Sequence, residues 1–286
     1  MSQSNSSTQT YVFGRSVGEA QAIGQLAQIL APVTRQFLEQ AGLGTGMKVL
    51  EVGSGAGDVA LLAAELVGPS GTVLGVENNP AILATARARV HVARLPQVSF
   101  VESDLTALVL DDTFDAVVGR YILQHLRDPV LVLRQLVRHL SPGGIVAFQE
   151  VDLTRLGTSI PPVPLFEQVG YWIKEPFRRE GLDLQFGLRL YHVFLEAGLP
   201  APQIHCESFI FAGPDCPWYE VIAGRVGSVL PKLLKYGLVT AEEVEISTLA
   251  QRLRDAVVAN ASVVMAPDLV SAWTRTRSAQ ALLHSA

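Results

Sequence analysis

The residue types able to do chemistry gather in the first half of the chain, around one glycine-rich turn. Val49-Leu50-Glu51-Val52 is a short apolar run carrying a single acid, and it leads into Gly53-Ser54-Gly55-Ala56-Gly57-Asp58. Glycines between a strand and a helix permit positive φ and let a ligand approach the backbone N–H groups at the helix start. A tight connection with no ligand has the same composition, so the turn alone decides nothing. Its Gly-x-Gly-x-Gly spacing departs from the Gly-x-Gly-x-x-Gly of dinucleotide-binding folds, and no Gly-Lys-Ser/Thr follows to make a phosphate loop.

Two further acids accompany the turn. Glu77 ends the run Val73-Leu74-Gly75-Val76, 24 positions after Gly53, where doubly wound folds hold a carboxylate that accepts both hydroxyls of a ribose. Asn78, Asn79 and Pro80 follow, so a surface acid capping the next helix is the alternative. Asp104 stands in Glu102-Ser103-Asp104-Leu105, where a carboxylate can accept an adenine amine while the next N–H, that of Leu105, donates to a ring nitrogen. A helix N-cap is the competing reading. For proton transfer the candidates are His125, an imidazole titrating near neutrality, and Glu150, which with Asp152 follows the fifth expected strand at the ligand-binding edge of such sheets. A structural histidine capping the turn at 126–129 and solvated loop acids are the alternatives. Tyr171, Trp172, Phe177 and Trp218 are candidates for an apolar substrate lid, against plain core packing.

These groups need a scaffold, and the hydrophobic pattern describes one. Apolar runs at 49–52, 72–76, 98–101, 114–118 and 145–148 alternate with helical patterns at 59–66, 80–92 and 129–140. That rhythm predicts a parallel sheet with right-handed crossovers, covered on both faces. Ahead of it, Leu26, Ile29, Leu30, Val33, Phe37 and Leu38 recur at helical spacing, with Pro32 predicted to kink or divide the stretch. After residue 151 the pattern changes. Residues 158–183 read as a loop and lid helix, 188–197 as a helix, 203–211 as a strand, and 217–234 and 241–260 as helices. Residues 262–265 and 269–273 read as a last strand interrupted at Pro267.

Composition narrows the function classes. Lys+Arg 22 against Asp+Glu 27 leaves a net charge of −5, without the basic stripe a nucleic-acid binder needs. Hydrophobic residues make up 49% and charged ones 17%, yet no apolar run reaches the roughly 18–20 residues of a membrane span. The apolar surplus fits a large core, a homo-oligomer interface or a greasy substrate pocket. Cys206 and Cys216 have no metal-binding or disulfide spacing, so no metal is expected. The polar first ten residues lack signal-peptide regions, which makes 1–16 a flexible tail and the cytoplasm the expected address.

Taken together, Glu51-Val52-Gly53-Ser54-Gly55-Ala56-Gly57, Gly75-Val76-Glu77-Asn78-Asn79-Pro80, Ser103-Asp104-Leu105, Phe114-Asp115-Ala116-Val117-Val118, Gly119-Arg120-Tyr121 and Leu140-Ser141-Pro142-Gly143-Gly144 resemble the class I S-adenosylmethionine-dependent methyltransferases. The match covers about residues 47–152, with the motifs in order. Glu replaces the commoner Asp at position 51, and Ser54 the frequent Cys or Thr. The resemblance implies a doubly wound, seven-stranded, mostly parallel α/β sheet with helical cap insertions. It assigns the methionine end of S-adenosyl-L-methionine to Glu51, Gly53, Gly55 and Gly57 with backbone at Gly119 and Arg120. It assigns ribose to Glu77 and adenine to Asn78, Asp104 and Leu105. N-terminal helices fold over the cofactor in many relatives, which makes Tyr11 a candidate pocket contact.

The expected organisation is a tail (1–16), N-terminal cap helices (17–46), a cofactor-binding core (47–152) and a substrate-side half with lid and final strands (153–286). The expected activity is methyl transfer to a small, largely apolar metabolite. A cyclase or decarboxylase on the same fold is the runner-up, and a non-catalytic ligand-binding module the outside alternative.

Overall fold

The computed structural model describes residues 17–277. The core runs α1 (Val17–Ala41), β1 (Lys48–Val52), α2 (Asp58–Val67), β2 (Thr72–Glu77), α3 (Pro80–Ala93), β3 (Val98–Glu102), β4 (Phe114–Arg120), α4 (Pro129–Val137) and β5 (Leu140–Asp152). It continues with β6 (Ser159–Ile160), α5 (Pro164–Arg179), α6 (Phe186–Glu196), β7 (Gln203–Glu207) and β8 (Ile210–Ala212). Last come α7 (Trp218–Lys235), α8 (Ala241–Val244), α9 (Leu249–Ala259), β9 (Val263–Met265) and β10 (Asp268–Arg275).

Seven strands form one sheet in the order β3-β2-β1-β4-β5-β10-β7. Strands β1 to β5 pair in parallel, and β10 enters antiparallel between β5 and β7. Order reverses at β1, which puts its carboxyl end at the topological switch point where such sheets bind ligands. Alternation along the strands sends side chains to two cores. Val49, Ala116 and Val118 face α1 and α2, while Leu50, Val52 and Val117 face α4 and α6. A third cluster, built on α5, α7 and α9, forms a cap over the sheet edge. Local chemistry agrees with the helix starts. Pro80 opens α3 behind Asn79, whose side chain accepts from Ala81 N–H at 3.1 Å, and Pro129 opens α4 behind Asp128, which accepts from Leu131 N–H at 2.8 Å.

Several boundaries differ from the pattern-based expectation, each for a tertiary reason. Helix α1 runs unbroken past Pro32, because its residues pack both on the sheet (Phe37, Leu38) and against the cap (Leu26, Ile29), contacts that outweigh one missing helical bond. The expected helix at 241–260 divides at Glu245, which takes φ 41. The expected strand at 203–211 divides into β7 and β8, whereas the last strand breaks around Pro267 as expected, into β9 and β10. Strands β6, β9 and β8 form a separate three-stranded sheet, with β9 central. Strand β5 extends over Leu140–Asp152 and absorbs the expected turn at 142–144.

Candidate active site

The glycine turn leaves β1 with all three glycines at positive φ: 71° at Gly53, 51° at Gly55 and 84° at Gly57. The three serve different ends. A Cβ on Gly55 would meet nothing within 4 Å, so open space faces the backbone there. A Cβ on Gly53 would strike Ile122 at 2.7 Å, and one on Gly57 would press on Ala86 and Phe100 at 3.3 Å. Arg89 ties the turn to α3, donating to Ala56 O at 2.6 Å and pairing with Asp58 at 2.7 Å.

Glu77 ends β2 beneath this turn. Its Oε2 accepts the Gly55 N–H and its Oε1 the Asn79 N–H, both at 2.9 Å, so the carboxylate is fixed while lone pairs remain on each oxygen for ligand hydroxyls. Asp104 accepts the Thr106 N–H at 2.8 Å and so caps the short 3-10 turn Leu105–Ala107, while also bordering the cavity described below. The cap is therefore formed by a residue that also lies on the cavity wall. Glu51, 1% exposed in the central strand, has its pKa pushed up to about 8, mainly by burial; Ser54 and Arg120 pull the other way. Its Oε2 has no hydrogen-bond partner among the described residues, an orphaned acceptor beside the turn.

The segment after β4 is held under constraint. Tyr121 adopts φ 58, a conformation costing a residue with a Cβ about 1–2 kcal/mol. Glu150, on the neighbouring strand β5, restrains it by accepting the N–H groups of Ile122 at 3.0 Å and Leu123 at 2.7 Å. Arg120 donates to Thr34 Oγ1 at 2.9 Å, Thr34 donates to Gln149 Oε1 at 2.8 Å, and Gln149 donates to Ser271 Oγ at 2.9 Å. That buried chain links α1, β4, β5 and β10 and fixes α1 across the sheet edge.

One cavity of about 1170 Å³ lies between the carboxyl edge of the sheet and the cap. Glu51, Gly53, Gly55, Glu77, Asn78, Asp104 and Arg120 contribute to the sheet side. Leu153, Leu156, Ile173, Phe177, Phe209, Phe211, Trp218 and Ile222 make the cap side apolar, and Tyr121, Gln124, His125 and Arg225 add polar groups. The His125 ring lies 6.5 Å from the Phe177 ring.

Several expected site residues fall elsewhere. Glu150 is fully buried, does not border the cavity, and accepts the backbone N–H groups of Ile122 and Leu123. Trp172, 2% exposed, sits inside the cap core, and Tyr171, 44% exposed, points out of it, because adjacent helical positions face different sides. Gly57, Leu105 and Gly119 also stay off the cavity wall: Gly57 and Gly119 are required by packing against Ala86, Phe100, Phe148 and Ile122, and Leu105 is a core residue. Tyr11 lies outside the described residues. Pattern reading missed Thr34, Gln124, Phe209 and Arg225. Only Arg225 carried a signal, its i, i+4, i+7 spacing with Ile222 and Trp218 on one helix face.

An orphaned buried acceptor at Glu51, the open face of Gly55 and fixed carboxylates at Glu77 and Asp104 fit the polar groups of S-adenosylmethionine: an ammonium, close backbone approach, a ribose and an adenine amine. Among the described residues no cluster of His, Cys, Asp or Glu is arranged to hold a metal ion, and no helix is long and apolar enough to cross a membrane.

Comparison with known proteins points the same way. Residues 43–168 match a family described as a methyltransferase domain. Over 139 residues the chain is 32% identical to a demethylmenaquinone methyltransferase of Shouchella clausii, a match covering 48% of this chain and 56% of that relative. The chain spans about half the length of the curated relatives it matches. Among solved structures, a SAM dependent methyltransferase from Aquifex aeolicus is 20% identical with TM-score 0.50, covering 69% of this chain and 94% of that one. The cyclase SpnF is 18% identical with TM-score 0.53, covering 94% and 88%. Both are likenesses of fold. Residues 43–168 thus match a methyltransferase-domain family, and the seven-stranded sheet that contains them has the fold of a solved SAM dependent methyltransferase.

Proposed function

We propose that the chain is an S-adenosylmethionine-dependent methyltransferase acting on a small, largely apolar metabolite. The observation that carries this reading is the single cavity joining a set of fixed carboxylates at the sheet edge to an apolar chamber under the cap. Glu51 would hold the amino-acid end, Glu77 the ribose, and Asp104 with Asn78 the adenine. The cofactor, when bound, supplies a methyl group on a cationic sulfur that departs as a neutral thioether. The demand on the protein is then mainly alignment and exclusion of water, to which the apolar cap side of the cavity contributes. His125, buried in the cavity wall, would take the proton when the acceptor is a hydroxyl. The quinone substrate named for the Shouchella relative supports an aromatic, apolar acceptor here too.

Titration calorimetry with S-adenosylhomocysteine and with NAD tests the cofactor class: the first should bind and the second should not. Glu77→Ala removes two charge-assisted bonds and should cost roughly 2–4 kcal/mol of S-adenosylhomocysteine affinity. Asp104→Ala should cost less, because water can replace one amine contact. Unchanged affinity in Glu77→Ala would defeat the assignment. Bound cofactor with no product heavier by one CH2 would point instead to a non-methylating reaction on this fold.

A further inference from the structure

We propose that Gln124 determines specificity for the methyl acceptor by hydrogen-bonding a neutral hydroxyl or carbonyl oxygen on its apolar frame, an inference that rests on the methyltransferase reading above and names its substrate class. Gln124 is 7% exposed and borders the cavity, on the short 3-10 turn Leu123–His125 that follows β4. The turn is held firmly. Glu150 accepts the N–H groups of Ile122 and Leu123, and the Leu123 side chain is anchored in the core shared with α4 and α6. Gln124 stands four residues beyond Arg120 of the sheet edge and one before His125, whose ring lies 6.5 Å from that of Phe177 in the cap. The turn thus carries it where the polar sheet edge meets the apolar cap.

Of the described glutamines, Gln124 and Gln149 are buried, and their surroundings differ. Gln149 is satisfied inside the protein: its Oε1 accepts from Thr34 and its Nε2 donates to Ser271. The Gln124 side-chain amide forms no hydrogen bond with another described residue, and the residue keeps its small accessible surface on the cavity. A buried amide is costly without partners for its N–H groups and its carbonyl. Water serves such a group in an open pocket; an apolar ligand expels that water and strands the amide unless the ligand brings an oxygen of its own. An amide carries no charge to offset the desolvation of an ion, so the oxygen it reads is neutral. Tyr121, three residues earlier on the same wall, keeps its proton well past neutrality, its pKa pushed up to about 12 mainly by burial, and adds a second uncharged hydrogen-bonding group. Apart from Arg225, the cavity residues from Leu153 onward are apolar or aromatic, so the frame that carries the oxygen is itself apolar.

The probes are 1-naphthol, kept neutral at pH 6, and 1-methylnaphthalene, a hydrocarbon of nearly the same shape. Each is titrated by calorimetry into the full chain with and without S-adenosylhomocysteine. The readout is the ratio of the two Kd values, because differences in hydration of the free probes cancel between wild type and variant. Gln124→Met keeps the side-chain length and removes its donors and acceptor. It should shift that ratio about five- to tenfold against 1-naphthol, with 1-methylnaphthalene bound as well or better and S-adenosylhomocysteine affinity unchanged. Gln124→Leu should do the same, so either variant decides if the other does not fold. The proposal is overturned if the wild type binds neither probe, if the ratio is the same in wild type and variant, or if both probes weaken together, as a merely structural glutamine predicts. Unfolding of both variants would overturn it too. Failure of S-adenosylhomocysteine to bind the wild type would sink the methyltransferase reading instead, and the ratio measured without it still decides the role of Gln124.

Discussion

Replacing Glu150 separates a structural carboxyl from a catalytic one. Its Oε1 receives the N–H groups of Ile122 and Leu123, and its Oε2 has no partner among the described residues. Burial pushes its pKa up to about 8, against the opposing pull of the backbone donors. Glu150→Ala strands two buried donors at about 1–3 kcal/mol each, so a loss of about 3–5 kcal/mol is expected. Glu150→Gln keeps an acceptor at Oε1 and should be nearly neutral at pH 6. The pH dependence has a definite sign. In the unfolded chain the carboxyl loses its proton near its ordinary value, whereas in the folded chain it keeps the proton until about pH 8. The folded state therefore holds more protons between those limits, and stability present at low pH is lost as pH rises through the window, by about 1 kcal/mol per pH unit for one group. Glu51 adds a second contribution of the same sign. Urea unfolding at pH 5 to 9 without ligand should show this decline in the wild type and roughly half of it in Glu150→Gln. Turnover of Glu150→Gln should stay close to wild type. If Glu150→Gln is as unstable as Glu150→Ala, or folds normally but loses turnover, the positioning role is wrong and an acid–base role returns.

Two further predictions follow from the site. Gly55→Val places a branched side chain at φ 51 in open cavity space, costing about 1–2 kcal/mol of stability yet abolishing S-adenosylhomocysteine binding; intact circular dichroism with normal affinity would show that the turn cradles no ligand. Trp172→Ala empties a core position and should cost about 3–5 kcal/mol in denaturant unfolding, with the substrate KM of the surviving folded protein unchanged; a raised KM at full stability would return Trp172 to the substrate pocket.

What could be read without coordinates was whatever local pattern determines. The strand–helix rhythm, the turn at Gly53 to Gly57 and the acids Glu77 and Asp104 all follow from period, spacing and residue type, because a parallel sheet repeats the same short unit and its ligand edge recurs at each strand end. The cap was not legible in this way. Trp172 and Tyr171 looked equally suited to a lid, and only packing shows one in the core and the other in solvent. Glu150 looked like a base at the ligand edge, yet the segment after β4 turns backbone donors toward it. Arg225, more than a hundred residues from the glycine turn, reaches the cavity only because α7 packs across α1 and over the sheet edge. The physical reason is range. Turns and strand ends are decided by a few neighbouring residues, whereas which side chain faces a cavity depends on how separate elements dock, and a local pattern carries no record of that docking.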